Sequence, residues 1–190
     1  MSLSCQEKKK VDSGSIENNI YVNEETGWKI TIPDGWKIMT TDQRNQMNEK
    51  GKRAIEDAMG AQVDVEGLRN LIGFQKDIKN IFNSTLEPFV EDYEGEWEEN
   101  NELIKEILLE TYSQNGISAK VSDTKKEKIG GVDFLCFSII VNLPDNSTFT
   151  QIMYSAFING YSLGININYT DKKHGEEMIN AFKNSTFESV

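Results

Sequence analysis

The chain has 190 residues, of which 37% are hydrophobic, enough for one domain with a two- or three-layer core. No apolar run approaches the roughly 20 residues that a membrane-spanning helix needs. The formal net charge of −11 argues against binding to nucleic acid or to anionic lipid surfaces, because both need clustered Lys and Arg.

Residues 1–18, MSLSCQEKKKVDSGSIEN, are polar and contain almost nothing to bury. This composition predicts a disordered N-terminal tether, because too little apolar surface is available to offset the entropy of ordering the chain. The remaining residues, 19–190, are predicted to form one folded domain.

Cys5 lies within this tether and allows three interpretations: a stray thiol, half of a disulfide with Cys136, or the attachment point of a lipid. The disulfide is disfavoured because Cys136 belongs to the apolar run VDFLCFSIIV, where a buried thiol acts as a small hydrophobe. The stray thiol stays open, but a lipid anchor explains both the cysteine and the polar spacer after it. In that case Met1-Ser2-Leu3 is a short leader that replaces a removed signal peptide.

The folded part opens with a predicted hairpin. Ile20-Tyr21-Val22 reads as a strand, and Trp28, Ile30 and Ile32 then alternate with polar residues, which indicates a second strand with one buried face. A helix is predicted to follow, capped by Thr41 or Asp42 and running to about Met59, with Gly60 closing it.

Two short strands are predicted next, Leu71–Phe74 and Ile81–Leu86, followed by an acidic stretch at residues 87–102 with eight Asp or Glu and no basic residue. Oxygen ligands could hold a cation such as Ca²⁺ there, but the spacing matches no EF-hand loop. A solvated lead into a helix is the favoured interpretation. A third interpretation, between the cation site and the solvated loop, is a weak protein-binding patch centred on Trp97.

A helix is predicted through ENNELIKEILLETYSQNG, where apolar residues recur every three or four positions. The chain after it is strand-rich, with two strands joined near Gly130-Gly131 and a hairpin at Asn159-Gly160. Asp171 is predicted to cap a last helix with Met178, Ile179 and Phe182 on its apolar side.

The run VDFLCFSIIV also predicts the layering. Both faces of this strand are apolar and need covering, with Phe134 and Cys136 on one side and Leu135, Phe137, Ile139 and Val141 on the other. Because turns join consecutive strands, the sheet should be mainly antiparallel with helices on both faces. The prediction is an αβα sandwich of the α+β class.

The element GWKITIPDGW, from Trp28 to Trp36, together with the order of the predicted elements, resembles the Mog1p/PsbP-like fold. Such proteins include photosystem accessory subunits, a binder of a small GTPase, bacterial envelope lipoproteins and chaperones for secreted toxins. The resemblance implies action by binding rather than catalysis, and it transfers no site residue to this chain.

Catalytic or metal chemistry has little support in the sequence. His174 is the one histidine, predicted to be exposed at the start of the last helix, and a multi-histidine metal site is therefore excluded. We expect no metal and no cofactor. A cleft beside the sheet near Trp36 is the first expected binding surface, with Trp97 the second.

Two hypotheses of function are compatible with these sequence features. The favoured hypothesis is a non-enzymatic bacterial envelope lipoprotein, anchored by lipid on Cys5, whose domain binds another envelope protein or ligand. The alternative is a soluble intracellular chaperone or toxin-neutralising module of the same fold, in which Cys5 has no role.

Overall fold

The computed structural model describes residues 14–60, 62, 67–143 and 147–188. The helices of these ranges are α1 (Thr41–Met59), α2 (Glu96–Gln114) and α3 (Lys172–Lys183). The strands are β1 (Ser15–Glu17), β2 (Ile20–Asn23), β3 (Trp28–Thr31), β4 (Lys37–Ile38), β5 (Arg69–Asp77), β6 (Asn80–Pro88), β7 (Ala119–Val121), β8 (Lys125–Ile129), β9 (Val132–Asn142), β10 (Thr148–Ile158), β11 (Tyr161–Tyr169) and β12 (Thr186–Phe187).

The strands form two sheets. The smaller has the order β1-β2-β3-β12, and the larger has the order β4-β5-β6-β11-β10-β9-β7, with β8 also paired to β9. Every strand pair within the described ranges is antiparallel. The predicted antiparallel α+β architecture is confirmed.

The hairpin between β10 and β11 shows how local sequence specifies this topology. Asn159 and Gly160 both have positive φ, 52° and 81°, as a two-residue turn that follows the twist of the strands requires. Ile158 then pairs with Tyr161, and the register continues to Thr150 opposite Tyr169.

An aromatic core lies between the sheets and α3. Trp28 of β3 is fully buried, with ring centroids 6.4 Å from Phe82 of β6, 6.4 Å from Phe182 of α3 and 6.2 Å from Phe187 of β12. One indole therefore contacts both sheets and the last helix. The predicted apolar side of that helix is confirmed, since Met178 and Phe182 are fully buried.

The opposite face of the larger sheet carries a second apolar cluster. Phe137, Ile139 and Val141 of β9 are buried there, and Leu108 and Tyr112 of α2 pack against them. Helices thus cover both faces of β9, as its doubly apolar sequence predicts.

Both earlier helices begin at a different residue from the one predicted. Thr40, rather than Thr41 or Asp42, caps α1, because its hydroxyl accepts from the amide of Gln43 (3.2 Å) while the Gln43 side chain accepts from the Thr40 amide (2.9 Å). Helix α2 starts within the acidic stretch at Glu96, where carboxylates favour the positive end of the helix dipole.

The predicted start of the folded domain at residue 19 is too late. Residues 14–18 were assigned to the tether, but Ser15–Glu17 form β1 and pair with β2. Asn18 and Asn19 have positive φ, 51° and 61°, and this turn folds β1 back onto its neighbour despite its polar composition. Cys5 and residues 1–13 lie outside the described residues.

Two further differences concern short strands. The single strand predicted before Gly130-Gly131 is two strands, β7 and β8, both paired with β9. Strand β12 was not predicted, and it closes the smaller sheet by pairing Phe187 with Trp28. Within the described ranges, no helix has both the length and the apolarity to cross a membrane.

Truncating Phe182 tests the aromatic core. We expect Phe182→Ala to lower the free energy of unfolding by about 3–5 kcal/mol, because a fully buried ring is replaced by a cavity. The matched control is Phe157→Ala, whose ring is 41% exposed and should cost about 1–2 kcal/mol. Urea denaturation measures both, and equal losses would contradict the assignment of the core to the α3 side.

Candidate functional site

Trp36, the first predicted binding residue, is packed into the domain. It is 7% exposed, and its indole N–H donates to Glu177 Oε2 at 2.9 Å. Its ring makes edge contacts with Phe74 (5.6 Å) and with His174 (5.8 Å). The side chain therefore ties β5 to α3, and the binding surface near it stays a prediction.

His174 is half-buried beside Trp36 rather than exposed as predicted. Its backbone amide donates to the side chain of Asp171 at 3.0 Å, which is the predicted cap of α3, and this bond lowers the pKa of Asp171. The ring atom Nδ1 of His174 is buried without a hydrogen-bond partner, 3.8 Å from Oδ1 of Asp171. The histidine is thus part of the packing at the start of the helix.

Trp97, the second predicted residue, is also 7% exposed. Its indole N–H donates to Ser162 Oγ at 3.3 Å, and its ring stacks 6.4 Å from that of Phe157. It borders a cleft of about 280 Å³ together with Glu91 and Lys126, among others. The protein-binding patch around it stays a prediction.

The grouping of titratable side chains was compared within the described ranges. In the part of the chain that the structure describes, no three His, Cys, Asp or Glu side chains are grouped to hold an ion. Cys136 forms no disulfide there, and burial raises the pKa of its thiol, which keeps it protonated and weakly nucleophilic at neutral pH.

A different recess, which sequence analysis did not predict, lies between α1 and the larger sheet. We call it the α1 cleft. It has a volume of about 250 Å³ and is lined by Met47, Asn48, Gly51, Lys52, Ile55, Leu68, Asn83, Thr85, Met153, Gly164, Ile165 and Asn166.

Helix α1 is held over this recess by amide side chains. Asn48 donates to Asn70 of β5 at 3.0 Å, and Asn70 donates to Asn45 at 3.0 Å. Residues 41–57 of α1 include none that is fully buried. Asparagine hydrogen bonds thus join the helix to β5, while Met47 and Ile55 of α1 are only half-buried at the cleft.

The strand register builds the floor of the α1 cleft. Asn83 of β6 lies opposite Asn166 of β11, which lies opposite Met153 of β10. In the next row, Thr85 lies opposite Gly164. A Cβ on Gly164 would come within 3.0 Å of Thr85 Oγ1, so the glycine keeps this part of the floor open.

Among the described residues, one polar side-chain atom of the cleft lining has no hydrogen-bond partner. Asn83 is 7% exposed, and its Oδ1 is buried without a hydrogen bond. Leaving a buried acceptor unpaired costs about 1–3 kcal/mol, which proteins usually avoid. The Nε of Arg44, one turn before Asn48 on α1, is also buried without a partner, and burial lowers the pKa of this guanidinium.

Both unpaired atoms belong to side chains that meet at Gly73 of β5. A Cβ on Gly73 would lie 3.2 Å from Oδ1 of Asn83 and 3.1 Å from Cδ of Arg44. The strand register slips next to this point, between Asn70 and Gly73. Asn83, which lines the cleft, and Arg44, which does not, thus both approach this glycine.

Comparison with known proteins gives the fold. No family model and no curated protein matches the chain. The solution structure of cyanobacterial PsbP (CyanoP) from Synechocystis sp. PCC 6803 matches with a TM-score of 0.57 and 10% identity, over 92% of this chain and 98% of CyanoP. The chain has the PsbP/Mog1-like fold. The resemblance predicted from the segment Trp28 to Trp36 is confirmed at the level of fold.

A second structure, LpqN of Mycobacterium tuberculosis, is described as involved in cell envelope biogenesis. It matches with a TM-score of 0.46 and 11% identity, over 85% of this chain and 83% of LpqN.

Gly51 tests how α1 lies over its cleft. A Cβ there would meet no atom within 4 Å, so we expect Gly51→Ala to stabilise the protein by about 0.5–1 kcal/mol through helix propensity alone. The matched control is Gly60→Ala, which also has open space but has φ +64° at the end of α1. It should destabilise by about 1 kcal/mol. Chemical denaturation checks both signs, and a loss of stability in Gly51→Ala would mean that the helix is packed closely at this point.

Proposed function

We propose that this chain is a non-enzymatic lipoprotein of a bacterial envelope, anchored through Cys5, whose folded domain binds another envelope component. The α1 cleft, a recess of about 250 Å³ with amide and aliphatic side chains in its lining, is the observation that carries the binding part of this proposal. The position of Cys5, before a polar segment that precedes the first strand, supports the anchoring part.

The membrane affinity of a lipid anchor on Cys5 follows from the number of CH₂ groups that it buries. Each buried CH₂ of a lipid chain adds about 0.8 kcal/mol of membrane affinity, and stable anchoring takes two signals. A thioether-linked diacylglycerol on Cys5, with a further acyl chain on its amine, would exceed that requirement. Because a residue spans at most about 3.5 Å, the ten Cα–Cα steps from Cys5 to Ser15 would keep the folded domain within roughly 35 Å of the bilayer surface.

Binding rather than catalysis also fits the described side chains. The thiol of Cys136 has its pKa raised by burial, and the ring of His174 is packed against Trp36. The α1 cleft, by contrast, offers uncharged amides and aliphatic walls, which suit recognition.

Lipid labelling in the native host tests the anchor. The gene is expressed with its genomic upstream sequence, and cells are grown with radiolabelled palmitate. We expect the protein to carry label and to sediment with membranes, and Cys5→Ser to lose both properties. The matched control is Cys136→Ser, which should keep them because its thiol lies within the folded domain.

Three results would contradict the proposal: a genomic reading frame that starts at Met1, an unlabelled wild-type protein, or label that persists in Cys5→Ser. The first would favour the soluble intracellular module instead.

A further inference from the structure

Aliphatic side chains form the walls of the α1 cleft. They include Met47 and Ile55 of α1, Leu68 before β5 and Met153 of β10, and the described residues of the lining include no aromatic ring. Such walls favour an aliphatic ligand, and methionine side chains adapt to irregular shapes. The volume of about 250 Å³ is below the range of drug-sized pockets, so the ligand is small.

The lining of the α1 cleft is positively charged, although the chain as a whole is acidic. Lys52 is the charged residue among the described residues of the lining, and none of them is Asp or Glu. In the whole chain Asp and Glu outnumber Lys and Arg by 31 to 20, so a recess bordered by a lysine and by no carboxylate is a local exception. Charge complementarity therefore favours an anionic ligand here.

Two neutral hydrogen-bond donors accompany the lysine. Thr85 of β6 and Asn166 of β11 lie in the floor of the cleft, and both residues are half-buried, so they keep surface that a ligand can reach. Oδ1 of Asn166 already accepts from Nε2 of Gln151 at 3.4 Å, which leaves the NH₂ group of Asn166 to donate. A carboxylate accepts hydrogen bonds and donates none, so it matches this set of donors.

The ammonium group of Lys52 is not held tightly within the protein. Its ion-pair partner among the described residues is Glu56, one turn further along α1, with Nζ 3.8 Å from Oε1. Both side chains are partly exposed, and exposed pairs at this spacing along a helix are weak. A carboxylate bound in the cleft therefore competes with Glu56 for the same ammonium group.

We propose that the α1 cleft binds a short-chain aliphatic carboxylate. Its carboxylate group accepts hydrogen bonds from the Lys52 ammonium and the Asn166 amide, and its hydrocarbon chain packs against Met47 and Met153. Gly51, whose added Cβ would meet no atom within 4 Å, leaves space for the chain beside the helix. This inference rests on the proposed binding function and names its ligand class.

Three probes with the same hydrocarbon chain test the charge of the ligand. Hexanoate is an anion, hexanamide is neutral and hexylamine is a cation at neutral pH. We expect hexanoate to shift the backbone amide signals of Gly51, Gly164 and Asn166 in two-dimensional NMR titrations of the purified chain. Hexanamide should bind at least about five-fold more weakly, because it lacks the charge that strengthens the hydrogen bond to Lys52. Hexylamine should cause no shift at these residues.

Replacing Lys52 tests its role in holding the carboxylate. Lys52→Met keeps an unbranched side chain and a good helix former but removes the charge. We expect its affinity for hexanoate to fall at least about five-fold, to that of hexanamide, while hexanamide binds as it does to the wild type. The matched control is Lys50→Met, on the same helix but outside the lining, which should bind both probes as the wild type does.

Removing the competing carboxylate should have the opposite effect. Glu56→Gln leaves Lys52 without its ion-pair partner, so we expect hexanoate to bind about two-fold more tightly and hexanamide to bind unchanged. The same NMR titration measures both affinities. A weaker affinity for hexanoate in Glu56→Gln would contradict the competition for Lys52.

A plug variant tests the location of the ligand. Gly51→Leu places a side chain in the open space of the cleft, and leucine is a better helix former than glycine, so the fold should be retained. It should abolish the shifts that hexanoate causes. The matched control is Gly51→Ala, which should bind hexanoate as the wild type does.

Four outcomes would overturn the inference: no shift at the cleft with hexanoate, which would mean that it holds water alone; equal affinity for hexanamide; unchanged hexanoate binding by Lys52→Met; or unchanged binding by Gly51→Leu. None of them affects palmitate labelling at Cys5. Conversely, an unlabelled Cys5 together with a positive titration would remove the envelope assignment and leave the ligand class in place.

Discussion

The packing of the Trp28 indole against rings from both sheets and α3 is the interaction on which the rest of the structure depends. The ring stacks almost parallel to Phe187 of β12, at an interplanar angle of 6°, and meets Phe182 of α3 edge-on at 83°. Buried aromatic pairs add about 0.5–1.5 kcal/mol each beyond the area they bury. Because Trp28 also contacts Phe82, the smaller sheet cannot separate from the larger one without exposing this cluster.

This arrangement makes the two faces of the larger sheet unequal. On the α3 side, strand residues such as Phe82, Ile165 and Ile167 are almost completely buried. On the other side, α2 covers the apolar cluster of β9, while α1 is fastened by Asn48 and Asn70. The α1 cleft lies on this side, between the helix and the strands of the larger sheet. The most completely buried core and the proposed binding cleft thus lie on opposite faces of one sheet.

Much of the fold could be predicted from local sequence. The doubly apolar run of β9 predicted helices on both faces, and Asn159-Gly160 predicted its hairpin. Strand β12 could not be predicted, because two residues have no period and are held by the pairing of Phe187 with Trp28, 159 positions away in the chain. Thr40 was missed as the cap of α1 because two other polar residues directly after it offered the same chemistry.

The candidate site was less predictable than the fold. Trp36 was predicted to border a cleft beside the sheet, and Trp97 to centre a binding patch in the acidic stretch. Each indole N–H finds an internal partner, Glu177 and Ser162, and both rings are buried. The cleft depends on which asparagines face each other across strands, and an unpaired Oδ1 on Asn83 is visible only once the register is known. The polar composition of α1, with Gly51 at its middle, was the available sequence signal for a loosely seated helix.

Native-state hydrogen exchange tests the inequality of the two faces most directly. Amide protons near Gly51 in α1 should exchange through a local opening at least about 2 kcal/mol less costly than the opening that exposes Met178 to Phe182 in α3. The α3 amides should exchange by global unfolding, with the full dependence on denaturant. Equal opening free energies with the same denaturant dependence in both helices would contradict the account, because α1 would then belong to the core as α3 does.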